Sequence, residues 1–249
     1  MDSATWFDFS GQVVVVNGCG GIGQEIVSGF ARCGANVIAT DVDGERADAV
    51  SAAVGAVGVE VDARDAAAVD RFVDEAVTRH GKIDVVVNTA AVYIRVRALE
   101  LTPEEFDRTM AVNVRGTWLF SRAAGRHMVE RGSGRIINYA SNAGMRGSPL
   151  QLAYNASKAA VISMTKTLAV EWAKTGVTVN AVAPGPTDTE LMAPAFSDPA
   201  LVASFAERIP QGSLTPADVT VGPVLFLASR QARWITGITL FADGGMSAT

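Results

Sequence analysis

Short runs of valine and isoleucine recur along the chain, separated by longer stretches in which apolar residues repeat at helical spacing. Most of the runs lack strict alternation of apolar and polar residues, which is typical of strands buried on both faces of a parallel sheet. The predicted strands cover residues 13–16, 36–40, 57–61, 84–87, 135–139, 177–182 and 238–241. The predicted helices cover residues 21–33, 44–54, 66–80, 103–131, 155–175 and 216–229. This alternation predicts an α/β fold, a doubly wound Rossmann-type sheet of seven parallel strands with helices on both faces.

One proline-rich segment interrupts this rhythm. Six of the nine prolines lie between residues 184 and 216. Because long insertions are more often functional than idle, we expect a substrate loop at about 187–213. Its apolar residues lie too close to prolines to form a long stable helix, and we expect them to form the underside of a lid. The alternative is a rigid loop packed against a neighbouring subunit. No linker or repeat divides the chain, so we expect residues 1–249 to form a single domain.

Composition excludes several classes of function. The net charge of −5 argues against a nucleic-acid or anionic-membrane partner. The two cysteines, Cys19 and Cys33, match neither a disulfide framework nor a zinc signature, so we expect no metal site and a reducing, cytoplasmic compartment. The first ten residues, MDSATWFDFS, lack the basic and apolar regions of a signal peptide. A small-molecule substrate is the expected partner.

A glycine-rich turn follows the first predicted strand. The stretch VVVVNGCGGIG places Gly18, Gly20, Gly21 and Gly23 between a strand and a helix that starts near Ile22. Such glycines let the backbone approach a pyrophosphate, and the helix N-terminus offers free N–H groups. The alternative is a tight turn that binds nothing.

An acidic residue follows the second predicted strand and strengthens the dinucleotide interpretation. Asp41, in VIATD, lies 18 residues past Gly23. A carboxylate at this point can bind the adenosine ribose hydroxyls and repels a 2′-phosphate, which favours NAD. The alternative is a solvated strand end.

Tyr154 and Lys158, in YNASK, stand four residues apart and share a helix face. An ammonium beside a phenol favours the phenolate, so this pair can serve as a general acid/base. Ser141 follows a predicted strand, where ligands bind in open α/β sheets, and could donate a hydrogen bond to a carbonyl oxygen. Asn113 lies inside a predicted helix, where a buried Asn is satisfied locally or distorts the turn.

These residues together resemble the short-chain dehydrogenase/reductase family, in its form of roughly 250 residues, over about residues 11–245. The resemblance implies a catalytic set of Asn113, Ser141, Tyr154 and Lys158. It implies NAD-contacting residues in the glycine-rich turn, after strands two to four and after strand six. These are Asn17, Gly18, Gly20, Gly21, Ile22, Gly23, Asp41, Asp62, Ala63, Asn88, Ala90, Tyr154, Lys158, Pro184, Gly185, Thr187 and Thr189.

The chain departs from the family pattern at two places. The family's turn begins with Thr-Gly, which aligns with Asn17-Gly18 if the turn is one residue shorter here. We prefer this alignment because it preserves the first strand and because Asn, like Thr, has a polar side chain able to tie down the turn. The second departure is Ala90-Ala91, where the family has Ala-Gly.

The resemblance implies hydride transfer at a secondary carbon, with Tyr154 exchanging the proton, Lys158 lowering its pKa, Ser141 orienting the substrate oxygen and Asn113 holding a relay water. Two alternatives stay open. One is a non-catalytic nucleotide-binding protein. The other is an acyl-thioester reductase, whose carrier protein would dock on a basic patch built from Arg122, Arg126, Arg131 and Arg135.

Substrate identity is not determined by these motifs. Pocket candidates lie after predicted strands four and five and in the insertion, and their mix of arginines and apolar residues suits an anionic, hydroxylated or hydrophobic alcohol. They are Tyr93, Arg95, Arg97, Asn142, Met145, Arg146, Leu191, Met192 and Phe196. The resemblance also implies a homo-oligomer, tetramer or dimer, whose interface uses the helices at 103–131 and 155–175.

Overall fold

A computed structural model describes residues 7–249. Residues 1–6 lie outside the described residues, and with them most of the N-terminal segment that lacks the features of a signal peptide. No helix among the described residues is long and apolar enough to cross a membrane.

The strands and helices alternate along the chain, as the hydrophobic pattern predicts. The strands are β1 (Val13–Asn17), β2 (Asn36–Asp41), β3 (Val57–Glu60), β4 (Val85–Asn88), β5 (Gly134–Tyr139), β6 (Val177–Pro184) and β7 (Thr239–Ala242). The α-helices are α1 (Gly21–Arg32), α2 (Gly44–Ala52), α3 (Ala66–His80), α4 (Pro103–Met110), α5 (Thr117–Arg131), α6 (Leu152–Trp172), α7 (Ala193–Phe196), α8 (Pro199–Arg208) and α9 (Val221–Ala228).

The seven strands form one sheet in the order β3-β2-β1-β4-β5-β6-β7, and every pairing is parallel. The predicted doubly wound α/β fold is therefore confirmed. The strand order reverses between β1 and β4, and ligands bind beyond the carboxyl ends of the strands at such a switch point. The glycine-rich turn follows β1, so it lies at this crevice.

Both faces of the sheet are buried, which explains the continuous valine runs. In β1, Val13 and Val15 pack on the face covered by α3, α5 and α6, where Phe72 and Phe120 also lie. Val14 and Val16 face the opposite core, which is built on α1 and α9. Successive side chains of β1 point to opposite faces of the sheet. Both faces are apolar, so the sequence shows a continuous valine run instead of an apolar–polar alternation.

The predicted helix at 103–131 is interrupted. A capping box between Thr102 and Glu105 starts α4, and a π-helical segment, Ala111–Gly116, separates α4 from α5. Asn113 lies in this segment, and its backbone carbonyl accepts a hydrogen bond from Thr117 Oγ1 at 2.8 Å. A side-chain hydroxyl bonding back to the helix distorts the turn in this way, and π-segments are frequent at functional sites.

The proline-rich insertion contains two helices, of which the sequence analysis predicted neither. The four-residue α7 agrees with the expectation that prolines prevent a long helix here. Pro199 instead starts the ten-residue α8, because proline is tolerated in the first turn of a helix. The base of the insertion is pinned where Thr187 pairs with Thr215 in a parallel bridge.

Candidate active site

The turn between β1 and α1 approaches its neighbours too closely for side chains. Gly18 has φ +100°, and a Cβ at Gly23 would overlap the carbonyl oxygen of Gly18. Gly20 occupies the N-cap of α1, and within the described chain no side chain caps this helix end. The first N–H groups of α1 thus remain available to an anion, and the residues present fit a dinucleotide pyrophosphate.

A threonine after β4 holds this turn in place. Thr89 Oγ1 lies 2.9 Å from the carbonyl oxygen of Asn17 and 2.7 Å from that of Gly18. The expectation that the Asn17 side chain ties down the turn is wrong. That side chain points along the sheet, with Nδ2 3.5 Å from Asn88 Oδ1, because it still belongs to β1.

Asp41 closes one end of the cleft beyond the glycine-rich turn. Its carboxylate is buried and accepts hydrogen bonds from the backbone N–H of Cys19 at 2.8 Å and of Asp43 at 3.0 Å. These bonds fix the carboxylate and leave lone pairs for ribose hydroxyls. Next to it, burial raises the pKa of the Cys19 thiol to about 12, so this cysteine stays protonated at neutral pH.

Tyr154 and Lys158 meet at the other end of the cleft. The helix α6 begins at Leu152, so both residues lie on it, and Lys158 Nζ is 5.6 Å from the centroid of the Tyr154 ring. Lys158 Nζ donates a hydrogen bond to the carbonyl oxygen of Tyr139 at 2.8 Å. The lysine is therefore held by the backbone at the carboxyl end of β5.

Burial dominates the protonation of this pair. Burial raises the pKa of Tyr154 to about 12, while a hydrogen bond with Ser141 opposes the rise. Burial lowers the pKa of Lys158 to about 8. In the protein alone the Tyr154 pKa shifts upward, so the expected depression by Lys158 is not observed.

Asn113 makes three hydrogen bonds inside the protein. Its Oδ1 accepts from the Val92 N–H at 2.8 Å, and its Nδ2 donates to the Val92 carbonyl oxygen and to Ser157 Oγ, each at 3.0 Å. This amide joins the loop after β4 to α6, one residue before Lys158. It thus helps to position the helix that carries the tyrosine and the lysine.

The structure brings most of the predicted cofactor residues to one cleft of about 480 Å³. The predicted residues that line it are Asn17, Gly18, Gly20, Gly21, Ile22, Gly23, Asp41, Asp62, Ala63, Ala90, Tyr154, Lys158, Pro184 and Thr189. Gly185 and Thr187 line a smaller adjoining cavity, together with Ser141 and Tyr154.

Asn88 is placed away from the cleft. It is buried in the sheet, where its Nδ2 donates to Asn138 Oδ1 at 2.9 Å and to Ser121 Oγ at 3.2 Å. The strand register pairs Asn88 with Asn17 on one side and Asn138 on the other. These three asparagines form a row of buried amides across the sheet, and the hydroxyls of Ser121 and Thr165 accept further hydrogen bonds from them.

The cleft is also lined by three arginines that the sequence analysis did not single out, Arg46, Arg64 and Arg108. Arg46, in the first turn of α2, lies 3.9 Å from both Asp43 and Glu190. Arg64 pairs with Asp62 at 2.7 Å, and this hydrogen-bonded pair lowers the pKa of Asp62. For Arg46 the available signal was its position one helical turn after the N-cap Asp43.

Comparisons with known proteins agree with this architecture. A family model described as enoyl-(acyl carrier protein) reductase matches residues 18–247. D-threitol dehydrogenase of Mycolicibacterium smegmatis is 38% identical over 247 residues, which cover 96% of this chain and 95% of that protein.

Two solved structures are similar over nearly their whole length. Gluconate 5-dehydrogenase from Burkholderia cenocepacia, in complex with NADP and tartrate, has a TM-score of 0.94 at 31% identity and covers 98% of each chain. A 3-ketoacyl-(acyl-carrier-protein) reductase from Brucella melitensis, complexed with NADH, has a TM-score of 0.90 at 35% identity, covering 96% of this chain and 99% of that one.

Proposed function

This chain belongs to the short-chain dehydrogenase/reductase family, and from that premise we propose that it is an NAD-dependent dehydrogenase with Tyr154 as its general acid/base. It is an oxidoreductase that acts on alcohol or ketone groups. Its substrate, in our proposal, is a secondary alcohol of a polyhydroxylated compound, because a threitol dehydrogenase and a gluconate dehydrogenase are among the proteins it resembles.

One observation carries the proposal: Tyr154 borders both the long cleft and the smaller cavity. A group that exchanges a proton with the substrate must touch the substrate and lie beside the cofactor. Tyr154 occupies the junction of two spaces that suit these two molecules, and Ser141 lines the smaller one.

The glycine-rich turn and Asp41 line the long cleft and would hold a nicotinamide cofactor there, which would supply the hydride chemistry. Tyr154 takes the hydroxyl proton of the substrate during oxidation and returns it to the carbonyl oxygen during reduction. Ser141 donates a hydrogen bond to the same oxygen. Oxidation needs the phenolate of Tyr154, and positive charge beside the ring favours that charged form against the desolvation that raises its pKa.

Lys158 supplies a fixed part of that positive charge. Its hydrogen bond to the Tyr139 carbonyl holds the ammonium at 5.6 Å from the phenol ring. The Asn113 amide already bonds Val92 and Ser157, so a relay water would have to bind the second lone pair of its Oδ1. The main role that we propose for Asn113 is to position α6, which carries Ser157.

We propose NAD as the cofactor because the buried Asp41 carboxylate stands where a 2′-phosphate would approach the ribose site. Arg46 opposes this preference in part, since its guanidinium lines the same cleft. The Arg46 guanidinium lies 3.9 Å from the carboxylates of both Asp43 and Glu190, and these negative charges weaken its attraction for a phosphate.

Three of the four arginines that would form the carrier-protein docking patch are paired with carboxylates, which disfavours the acyl-thioester reductase alternative. Arg122 lies 2.6 Å from Asp70, and Arg126 lies 2.7 Å from Asp74. Arg131 is 3.4 Å from Asp84. Paired arginines attract an acidic carrier protein weakly, so a polyhydroxylated small molecule remains the better proposal.

We further propose that the chain assembles into a homo-oligomer. Large apolar side chains lie exposed on α6 and near β7, where Val170 is 79% and Trp234 is 94% exposed. The edge strand β7 also presents unpaired backbone groups on its outer side in the described chain. A second copy of this chain would cover both features.

The experiment that tests the proposed function is a turnover screen with NAD and with NADP. Secondary alcohols, alditols, sugar acids, hydroxysteroids and dihydrodiols are offered, and the absorbance of the reduced nicotinamide is followed. Oxidation of the polyhydroxylated compounds supports the proposal. Failure to oxidise any alcohol, together with failure to reduce the matching ketones, would reject it.

A further inference from the structure

The smaller cavity beside Tyr154 is bordered by two arginines from different parts of the chain. Arg146 comes from the loop between β5 and α6, and Arg208 from the last turn of α8. Among residues 7–249, neither guanidinium lies within 4.0 Å of a carboxylate. Arg146 Nη1 donates to the Met246 carbonyl oxygen at 3.0 Å, which fixes the side chain and leaves most of its donors unused.

Two uncompensated cations at one small cavity favour an anion inside it. Both arginines line the cavity, so a carboxylate bound there would accept charge-assisted hydrogen bonds from their guanidinium groups. Guanidinium groups suit a carboxylate because their parallel N–H groups match its two oxygens. The cavity therefore presents a binding site for a carboxylate next to the reacting carbon.

Neutral polar groups line the same cavity. The Tyr93 hydroxyl is buried and makes no well-aligned hydrogen bond among the described residues, although the side chains of Gln151 and Arg95 lie near it. Its ring packs edge-on against Tyr154 with 5.1 Å between centroids. Gln151, which is also buried, lines the wall nearby. A buried hydroxyl without a partner is costly, so it is expected to gain one when the substrate binds. A substrate hydroxyl beside the reacting carbon would supply that partner.

We infer that the substrate is a hydroxylated carboxylic acid of the aldonic type, whose carboxylate binds Arg146 and Arg208 and whose neighbouring hydroxyl pairs with Tyr93. The inference rests on the proposed function and narrows it, since it separates sugar acids from neutral alditols. Arg208 reaches the cavity from the proline-rich insertion. Carboxylate binding would therefore also hold that insertion against the site.

The test compares acids and alcohols that differ in a single terminal group. Threonate is paired with threitol, ribonate with ribitol, and gluconate with sorbitol, each at saturating oxidised cofactor. The wild-type enzyme is expected to oxidise the acid of at least one pair with a kcat/KM about tenfold or more above that of its alditol. Arg208→Met should raise KM for that acid about tenfold or more and change the alditol's kcat/KM by less than about threefold.

Two further variants separate charge recognition from folding. Arg208→Lys keeps the charge without the paired N–H groups and should fall between wild type and Arg208→Met. Arg97→Met removes the same charge from an exposed residue after β4 that lines neither cavity, and it should leave the preference unchanged. Binding of the acid to the NADH complex, followed by calorimetry, should weaken most in Arg208→Met, less in Arg208→Lys and not at all in Arg97→Met.

Oxidation of alditols in preference to acids, or equal losses in Arg208→Met and Arg97→Met, would overturn the inference and leave the proposed function standing. If neither members of any pair nor other secondary alcohols are oxidised, the proposed function fails, and the inference fails with it.

Discussion

The ammonium of Lys158 is bound to the backbone of the strand that ends beside the site, with Nζ donating to the carbonyl oxygen of Tyr139 at 2.8 Å. This bond fixes a cation that is buried and has no carboxylate within 4.0 Å in the described chain. Desolvation lowers its pKa to about 8, so the folded protein binds this proton less tightly than the unfolded chain does.

This relationship predicts how stability depends on pH. Between about pH 8 and the unfolded value of about 10.4, the unfolded chain holds more protons at Lys158, so the free energy of unfolding rises with pH. Below pH 8 the penalty of the buried charge is present in full. Lys158→Met removes this penalty at all pH values and also loses the bond to Tyr139, a loss that is independent of pH.

The measurement is urea unfolding of both proteins at neutral pH and near pH 10. The free energy of unfolding of Lys158→Met minus that of wild type should be lower near pH 10 than at neutral pH, by roughly 1–3 kcal/mol. A difference that does not change with pH would show that Lys158 is not desolvated. Lys166→Met, at an exposed site on the same helix, serves as the control.

Cofactor choice gives a second prediction. The wild-type enzyme should have a higher kcat/KM with NAD than with NADP, and Asp41→Ala should narrow the ratio by weakening NAD and relieving repulsion of the 2′-phosphate. Arg46→Ala should increase the preference for NAD over NADP, since it removes a guanidinium that lines the same cleft as Asp41. Equal efficiency with both cofactors in the wild-type enzyme would contradict this account.

The insertion from about 187 to 213 gives a third prediction. Thr189 packs its methyl group against Gly21, so the insertion touches the glycine-rich turn directly, while its base is pinned at Thr187 and Thr215. A segment held at its base and at the cofactor site should become more ordered when NAD binds. Limited proteolysis without cofactor should cut between 189 and 212, and NAD with a substrate analogue should suppress cutting.

Buried residues in the insertion make the alternative testable as well. Phe205 is buried and stacks edge-on with Phe196, 5.9 Å between ring centroids, so α7 and α8 move as one unit if they move. Equal resistance to protease with and without ligands would mean that the insertion is rigid. In that case the contact between Phe196 and Phe205 stays packed whether or not ligands are bound.

The strands and the fold were predictable because each buried strand is a short, continuous run of apolar residues. Such a run can be recognised without knowing which distant segments it contacts. The positions of Gly18, Asp41 and Tyr154 were predictable for a related reason, since their roles depend on local sequence beside a strand or along one helix. All three line the same cleft.

Features that depend on distant segments were not predictable. The tie from Thr89 to the glycine-rich turn joins residues about seventy positions apart, and the Asn88–Asn138 bond crosses two strands. The side chain of Asn113 bonds the backbone of Val92, which lies outside the helix. Periodicity within a segment contains no information about which distant side chain completes a hydrogen bond.

The central claim is that Tyr154 transfers the substrate proton, and Tyr154→Phe tests it most directly. The substitution keeps the ring packed against Tyr93 and removes only the hydroxyl. Turnover should fall by at least about a hundredfold, the lower range for acid–base catalysis. The affinity for NADH, measured by fluorescence titration, should change by less than about threefold.

Tyr139→Phe is the matched control, because its hydroxyl bonds Thr220 at 3.0 Å and takes no part in the proposed proton transfer. The account predicts that Tyr139→Phe keeps most of its turnover while Tyr154→Phe loses it with NADH still bound. Retention of most turnover by Tyr154→Phe would contradict the account.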